Sequence, residues 1–533
     1  MRSIKGTLLF YLPACKIASD KSALFGVLAL WAAMFSVVLG CVAMYGHSVP
    51  LLDDWYMVPA LAGQEQNLPH WLWAQHEEHR LPFPKAVFLV LLKISGGDFR
   101  IGMIANTLML AGLSLAMILT ARRIRGEQTR LADTFFPLAL LHLGHWDNMI
   151  WGWAIAFVIP AVLVCVWLLI IVRCPWPLPP KIAVTVGLIT VLLPLSSAVG
   201  LIFTPFVALW LAAGAILYQR GTSPRWVVPF QSACVIISIV FACRYFVHYV
   251  PPPERLYHFD QVPPPAFLVS TLVTAVRFVG MSLGPVGAGI GRILTAESST
   301  GGVPQSNISV VFCGVGALLW VSSMIPLRRG LGLHRIGTSE GSRFFGFLIF
   351  AAAMAALALV LAWSRSGWVP ILGMPSRYAL LSVPGLCAVY FAWILYGPET
   401  ARNRFAIACA IAILLALPFN VQEGLEERDI YVAGMRAFEQ DLAEGLSWQE
   451  LADRHYKFLL EWDRDGLAER MQMLQEAKIA PFARDASRSA LAERKRDHLG
   501  CAAAPDNASN MVTATLHGDD SGRRSFCFEN ELL

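Results

Sequence analysis

The chain is 533 residues long, 56% hydrophobic and only 15% charged, with a mean hydropathy of +0.55. A soluble domain carries about 25% charged residues, so composition excludes an ordinary soluble enzyme and indicates a polytopic membrane protein. The net charge of +5 is unevenly split: from Val421 onward there are 14 Lys+Arg against 22 Asp+Glu, a net −8, and residues 1–420 hold 28 against 15, a net +13. Basic loops on one side of a membrane account for the first part, and nothing suggests nucleic-acid binding.

Residues 1–22 carry Arg2, Lys5, Lys16 and Lys21. The apolar run after them is too long for a signal-peptide core and lacks a convincing cleavage site, so it reads as a retained first helix behind a cytoplasmic N-terminus. Runs long enough to span, some short or proline-interrupted, fall near 23–45, 99–121, 133–148, 150–172, 182–200, 201–218, 226–248, 307–327, 343–362, 379–396 and 405–420, about eleven in all. Threaded alternately, the cationic loops all fall on the side of the N-terminus. They are Arg122/Arg123/Arg125/Arg130, Arg173 with Lys181, Arg220 with Arg225, Arg328/Arg329/Arg335/Arg343, and Arg402 with Arg404. The positive-inside rule then puts the N-terminus in the cytoplasm and the C-terminus outside it, as in a protein of the bacterial inner membrane.

The first outside loop, 46–98, is rich in aromatics (Trp55, Tyr56, Trp71, Trp73, Phe83), with short interfacial helices expected near 55–63 and 84–95. It also holds the densest titratable groups, Asp53-Asp54 and His76-Glu77-Glu78-His79-Arg80. Charge at a membrane edge is costly unless solvated, paired or used. Of two adjacent carboxylates, one is expected to face a cleft and the other to position it. Their repulsion would raise one pKa, which suits a general base near neutral pH. The histidines do not have the His-Glu-x-x-His zinc spacing. On a helix, His76, His79 and Arg80 would share a face and offer a cationic patch to a phosphate. The plainer readings are a solvated loop with an aromatic anchor and a polar helix end before Pro82 and Pro84.

Further along, His145-Trp146-Asp147-Asn148 faces the same compartment. An interfacial belt explains Trp146, Trp151 and Trp153, which leaves His145 and Asp147 as candidates for the same cavity. Loop 249–306 opens on Pro251-Pro252-Pro253, returns through Pro263-Pro264-Pro265, and continues as an apolar segment, 266–283, containing Arg277. Both of its flanks must be outside, so the segment is re-entrant or interfacial. The glycines from Gly280 to Gly302 lack the strand–helix context of a nucleotide loop and suit close packing or a mobile loop. Arg365 and Arg377-Tyr378 place cations on the outer side, where a substrate phosphate, a first-loop carboxylate or lipid head groups would pair with them.

The region 421–533 reads as an acidic, helical, extracytoplasmic tail, with helices near 427–445, 447–460 and 462–478. Of eleven cysteines, nine lie at or before Cys409, mostly within apolar runs; Cys501 and Cys527 stand in the polar tail. Outside the cytoplasm those two could form a disulfide.

An outside Asp-Asp pair directly after the first of about eleven spans, interfacial helices behind it and a C-terminal outside part resemble the GT-C superfamily of membrane glycosyltransferases. Protein O-mannosyltransferases and the aminoarabinose transferases of lipid A belong to it. The resemblance covers about residues 20–420 in topology and rests in motif on Asp53-Asp54. It implies an all-α membrane fold and a sugar donor on polyprenyl or dolichyl phosphate. The acceptor would be a glycan, lipid or protein on the outer face, with Asp53 or Asp54 as general base, Asp53 preferred. The chain has Asp-Asp-Trp where the mannosyltransferases have Asp-Glu, and it shows no acceptor-recognition motif. Glu78, His79, Arg80, His145, Asp147, Arg277, Arg377 and Tyr378 are the candidates for holding substrate and phosphate. Arginines alone can stabilise a monophosphate leaving group, so no cofactor is required and a divalent metal is optional.

Two other activities share these features. A glycan polymerase or ligase would lean on arginines of a late loop, here Arg255, Arg277 and Arg292. A glycolipid flippase would place its charges at the membrane midplane, whereas these spans are nearly free of charge. A purely structural membrane protein leaves the charged clusters unexplained.

Overall fold

A computed structural model describes residues 20–217, 224–251, 264–287, 305–333, 338–366, 374–460 and 463–483. Among them nine helices are long and apolar enough to cross a membrane: Asp20–Tyr45, Arg100–Ile124, Gly152–Arg173, Ala198–Ile216, Val227–Phe246, Ile308–Leu331, Ser339–Arg365, Ser376–Tyr396 and Glu399–Glu444. Inside lipid a helix satisfies its own backbone hydrogen bonds, and the protein is an integral membrane protein built on that rule. The strands among the described residues are one two-residue pair, β1 (Gln75–His76) and β2 (His79–Arg80).

Two apolar runs do not form the long helices expected of them. The run 133–148 is broken into a 3-10 turn at Leu131–Thr134, a helix at Phe135–Leu140, a second turn at Leu143–His145 and a helix at Trp146–Ile150. The break lies where the chain presses on the last span: a Cβ on Gly144 would sit 2.9 Å from the Asn420 backbone oxygen. The run 182–200 gives only the helix Pro180–Leu192, which stops before Pro194 because proline cannot donate to the preceding turn. Thirteen residues span about 20 Å, short of a hydrocarbon core of about 30 Å.

Helix Ala379–Tyr396 runs through the middle, almost wholly buried, against Ile155–Arg173, Ser339–Arg365 and Glu399–Glu444. Phe135 stacks on its Tyr390 at 5.1 Å, and Phe136 stacks on its Phe391 at 5.4 Å. Helix Asp20–Tyr45 is peripheral and turns Phe25, Val37 and Met44 outward. Helix Arg100–Ile124, which starts just after loop 46–98, ends at the far side of the bundle with Arg122 and Arg123 in its last turn. There Arg125 Nη1 bonds both carboxylate oxygens of fully buried Asp133, at 2.8 and 2.7 Å, and the Tyr390 hydroxyl donates to Asp133 at 2.8 Å.

The apolar segment expected at 266–283 is a helix, Pro264–Gly280, followed by a turn at Met281–Leu283. Ser270 Oγ donates to the Ser366 carbonyl at 2.6 Å, just past the Ser339–Arg365 helix. At the other end Asn420 Nδ2 donates to the Leu283 carbonyl at 2.7 Å. The first end therefore meets the end of the bundle that carries loop 46–98, where Arg365 pairs with Glu78, and the second meets the last span at Asn420. Arg255, Arg292, Cys501, Cys527 and the glycines at 289, 291, 301 and 302 lie outside the described residues.

The last span does not stop at residue 420. Helix Glu399–Glu444 is continuous for 46 residues, about 69 Å at 1.5 Å per residue, so residue 421 lies inside it and the tail begins as its extension. It ends at Gly445, whose φ of 85° makes a left-handed cap. Ser447 and Glu450 form a capping box that starts helix Trp448–Leu459, and Asp463 caps helix Arg464–Glu476. These elements fold back over loop 46–98. Phe482 meets Trp55 edge-on at 5.9 Å, Gln64 donates to Glu476 at 3.1 Å, and His47 Nδ1 lies 2.7 Å from Glu439. Gly97, at a φ of 89°, lies where a Cβ would run into Ile479.

Candidate active site

The two aspartates do different work. They sit in a 3-10 turn, Leu52–Met57, that leaves the first span. Asp54 is 0% exposed. Its Oδ2 accepts the Leu51 N–H at 3.2 Å and its Oδ1 accepts the Trp153 N–H at 2.7 Å, so it closes the turn and pins it to the start of the Gly152–Arg173 span. Burial pushes its carboxyl well above the usual carboxylate range; the two amides oppose this, and Asp53 adds a smaller push upward. The carboxylate with the raised pKa is thus the buried clamp, which does not line the cavity. Asp53 does line it. Its side chain is 18% exposed, with Oδ1 3.3 Å from His76 Nε2, and the His76 ring is held by Tyr56 at 4.2 Å and Trp153 at 4.9 Å.

The expected helix over His76–Arg80 is instead a hairpin in which His76 pairs with His79 and Gln75 with Arg80. Directly opposed residues share a face, so the two histidines look into the cavity and Arg80 looks the other way. Arg80 is held there by the open carbonyls at the end of helix Val227–Phe246. It donates to Tyr245 O at 2.8 Å, Val247 O at 3.0 Å and His248 O at 3.3 Å, and also to Trp73 O at 2.8 Å. A guanidinium suits the acceptor-rich end of a helix. Arg80 is therefore a fastener of the hairpin and is absent from the cavity wall. Burial brings His79 down to about 4, although Glu78 pulls the other way.

The wall's positive charge comes from Arg365 and Arg377. Arg365 ends the Ser339–Arg365 helix, forms an ion pair with Glu78, and donates to the Tyr378 hydroxyl at 3.2 Å. Burial works to raise Glu78, but His79 and Arg365 outweigh it and hold the carboxyl below its ordinary value. The Arg377 guanidinium lies 5.8 Å from the Trp151 ring centroid and 5.9 Å from that of Phe157, and its Nη1 is 3.8 Å from Asp147. Asp147 also accepts from Ser376 Oγ at 2.7 Å. Asp53, Glu78, His79, Arg365, Arg377 and Tyr378 meet around one cavity of about 120 Å³, with Leu81, Phe157 and Val199 on its apolar side.

Two other candidates stand elsewhere. His145 is buried with Nε2 2.9 Å from the Ala139 carbonyl and its ring 4.3 Å from His142. Arg277 is buried in the packing of helix Pro264–Gly280. Neither lines the cavity, and Asp147 reaches it only through Arg377. Sequence reasoning missed His76 as the partner of Asp53; reading the motif as a hairpin would have found it. It also read Trp153 as a lipid anchor, whereas its amide holds Asp54 and its ring supports His76. Among the described residues no group of three or more His, Cys, Asp or Glu is arranged to hold a metal ion.

No family model matches the chain, and no curated protein matches it. Among solved structures the chain is similar to ArnT from Cupriavidus metallidurans bound to undecaprenyl phosphate. The two are 14% identical, with 87% of this chain and 77% of that one covered and a TM-score of 0.38. So loose an overlap is a likeness in outline and transfers no residue from one chain to the other.

Proposed function

We propose that the protein is a GT-C-type membrane glycosyltransferase that moves a sugar from a polyprenyl-phosphate carrier to a hydroxyl acceptor. The observation that carries this reading is one cavity holding an accessible carboxylate, Asp53, together with two guanidiniums, Arg365 and Arg377. The reaction needs both. Asp53 takes the proton of the acceptor hydroxyl as its oxygen bonds to the sugar's anomeric carbon. The bond from that carbon to the phosphate oxygen breaks, and its electron pair leaves on the phosphate. Fixed cations lower the energy of that developing charge, and a positioned base contributes about 10²–10⁴-fold.

The basic loops of the sequence alternate with the loop that carries Asp53, and the positive-inside rule supports an extracytoplasmic cavity with the N-terminus in the cytoplasm. The wall aromatics Trp151, Trp153 and Phe157 suit a sugar ring or the first isoprene units.

The test is transfer in proteoliposomes loaded with polyprenyl-phosphate sugars and a panel of glycan, lipid and peptide acceptors. Wild type is expected to transfer sugar and Asp53→Asn to lose nearly all transfer. Wild-type transfer by Asp53→Asn would overturn the assignment of the base.

A further inference from the structure

Both guanidiniums on the cavity wall already have carboxylate partners. Among the described residues the wall carries three carboxylates, Asp53, Glu77 and Glu78, and two guanidiniums, Arg365 and Arg377, and Arg377 is shared with Asp147. A phosphodiester entering this wall would add a negative charge where carboxylates already outnumber guanidiniums. One of the two guanidiniums has to change partner.

Arg365 is the one built to do so. Its Nη2 is paired with Glu78, and its Nε stays bonded to the Tyr378 hydroxyl at 3.2 Å, which would hold the guanidinium in place if the carboxylate left. A carboxylate and a phosphate present the same bidentate edge to a guanidinium. Glu78 also has somewhere to go, since His79 Nε2 lies 3.8 Å away. Its backbone is fixed: the Tyr245 hydroxyl donates to the Glu78 carbonyl at 2.9 Å, and Arg80 anchors the strand behind it. The exchange is therefore a side-chain rotation on a rigid hairpin, without loop opening.

Resting on the donor assignment above, we propose that Glu78 and the donor phosphate compete for Arg365, so that Glu78 sets which anions the site accepts. A ligand must bring an anion strong enough to displace a carboxylate, which favours a phosphate over a neutral polyprenol or glycolipid.

Binding of farnesyl phosphate and of farnesol to the full-length protein in detergent tests this. Glu78→Gln and Glu78→Asp are both expected to bind farnesyl phosphate about ten-fold tighter than wild type, the effect of removing one charge-assisted competitor, with farnesol unchanged. Glu78→Asp keeps the charge but shortens the reach, so its gain separates competition for Arg365 from a change in net charge. Equal or weaker binding of farnesyl phosphate by both variants, with thermal unfolding showing them folded, would overturn the proposal. A distinct result strikes the donor assignment itself: no binding of farnesyl phosphate by wild type or either variant, and no effect of Arg365→Gln.

Discussion

The two ends of the bundle both bury carboxylate–guanidinium pairs, but they are finished differently. At the basic end every oxygen of Asp133 is engaged: Arg125 takes both, Tyr390 donates to one, and the Arg130 amide donates to the other at 3.0 Å. Asp133 itself is fully buried. At the other end Asp53 meets His76 at one oxygen and Arg365 divides itself between Glu78 and Tyr378, with the side chains disposed around an open space. A closed network fixes structure, whereas one that lines a cavity is placed to meet a ligand. Asp54 belongs in kind with Asp133 although it is one residue from Asp53.

That contrast can be broken by substitution. Asp53→Asn should cut transfer by about 10²–10⁴-fold and leave thermal unfolding within about 0.5 kcal/mol of wild type. Asp133→Asn should do the reverse. Leaving Arg125 buried without its counter-charge costs about 3–5 kcal/mol, seen in unfolding, while transfer per folded molecule stays at the wild-type rate. Asp54→Asn falls between them: an amide offers one acceptor where two N–H groups need one each, a loss of about 1–3 kcal/mol.

A pH slope is set by His79, held at about 4 against an ordinary 6.5. Between those values the unfolded chain binds the extra proton, so stability falls as pH drops from about 6.5 toward 4. His79→Asn should flatten that part of the unfolding-versus-pH curve by about 1–3 kcal/mol.

The spans were legible because long apolar runs have few alternatives in lipid, and loop 46–98 stood out because charge at a membrane edge needs a reason. The division between Asp53 and Asp54 was not legible. The two are chemically identical neighbours, and only the Trp153 amide, a hundred residues on, decides which is the clamp. The motif His76–Arg80 misled for a related reason. Its residues tolerate a helix, but the carbonyls after Tyr245 claim Arg80 and pull the segment into a hairpin, a tertiary preference overriding a local one. Residue 420 looked like the end of a span because hydropathy falls there, yet backbone hydrogen bonding continues for another 24 residues, to Glu444.

The 46-residue helix also fixes an order of assembly. The ribosome delivers loop 46–98 early, but its contacts with the tail join residues as far apart as 392 and 412 positions in the chain. Trp55 and its neighbours are then roofed only when the final helix has crossed and Phe482 arrives. Until that moment the growing protein carries an uncovered aromatic floor, and a chain cut short before Trp448 would keep it.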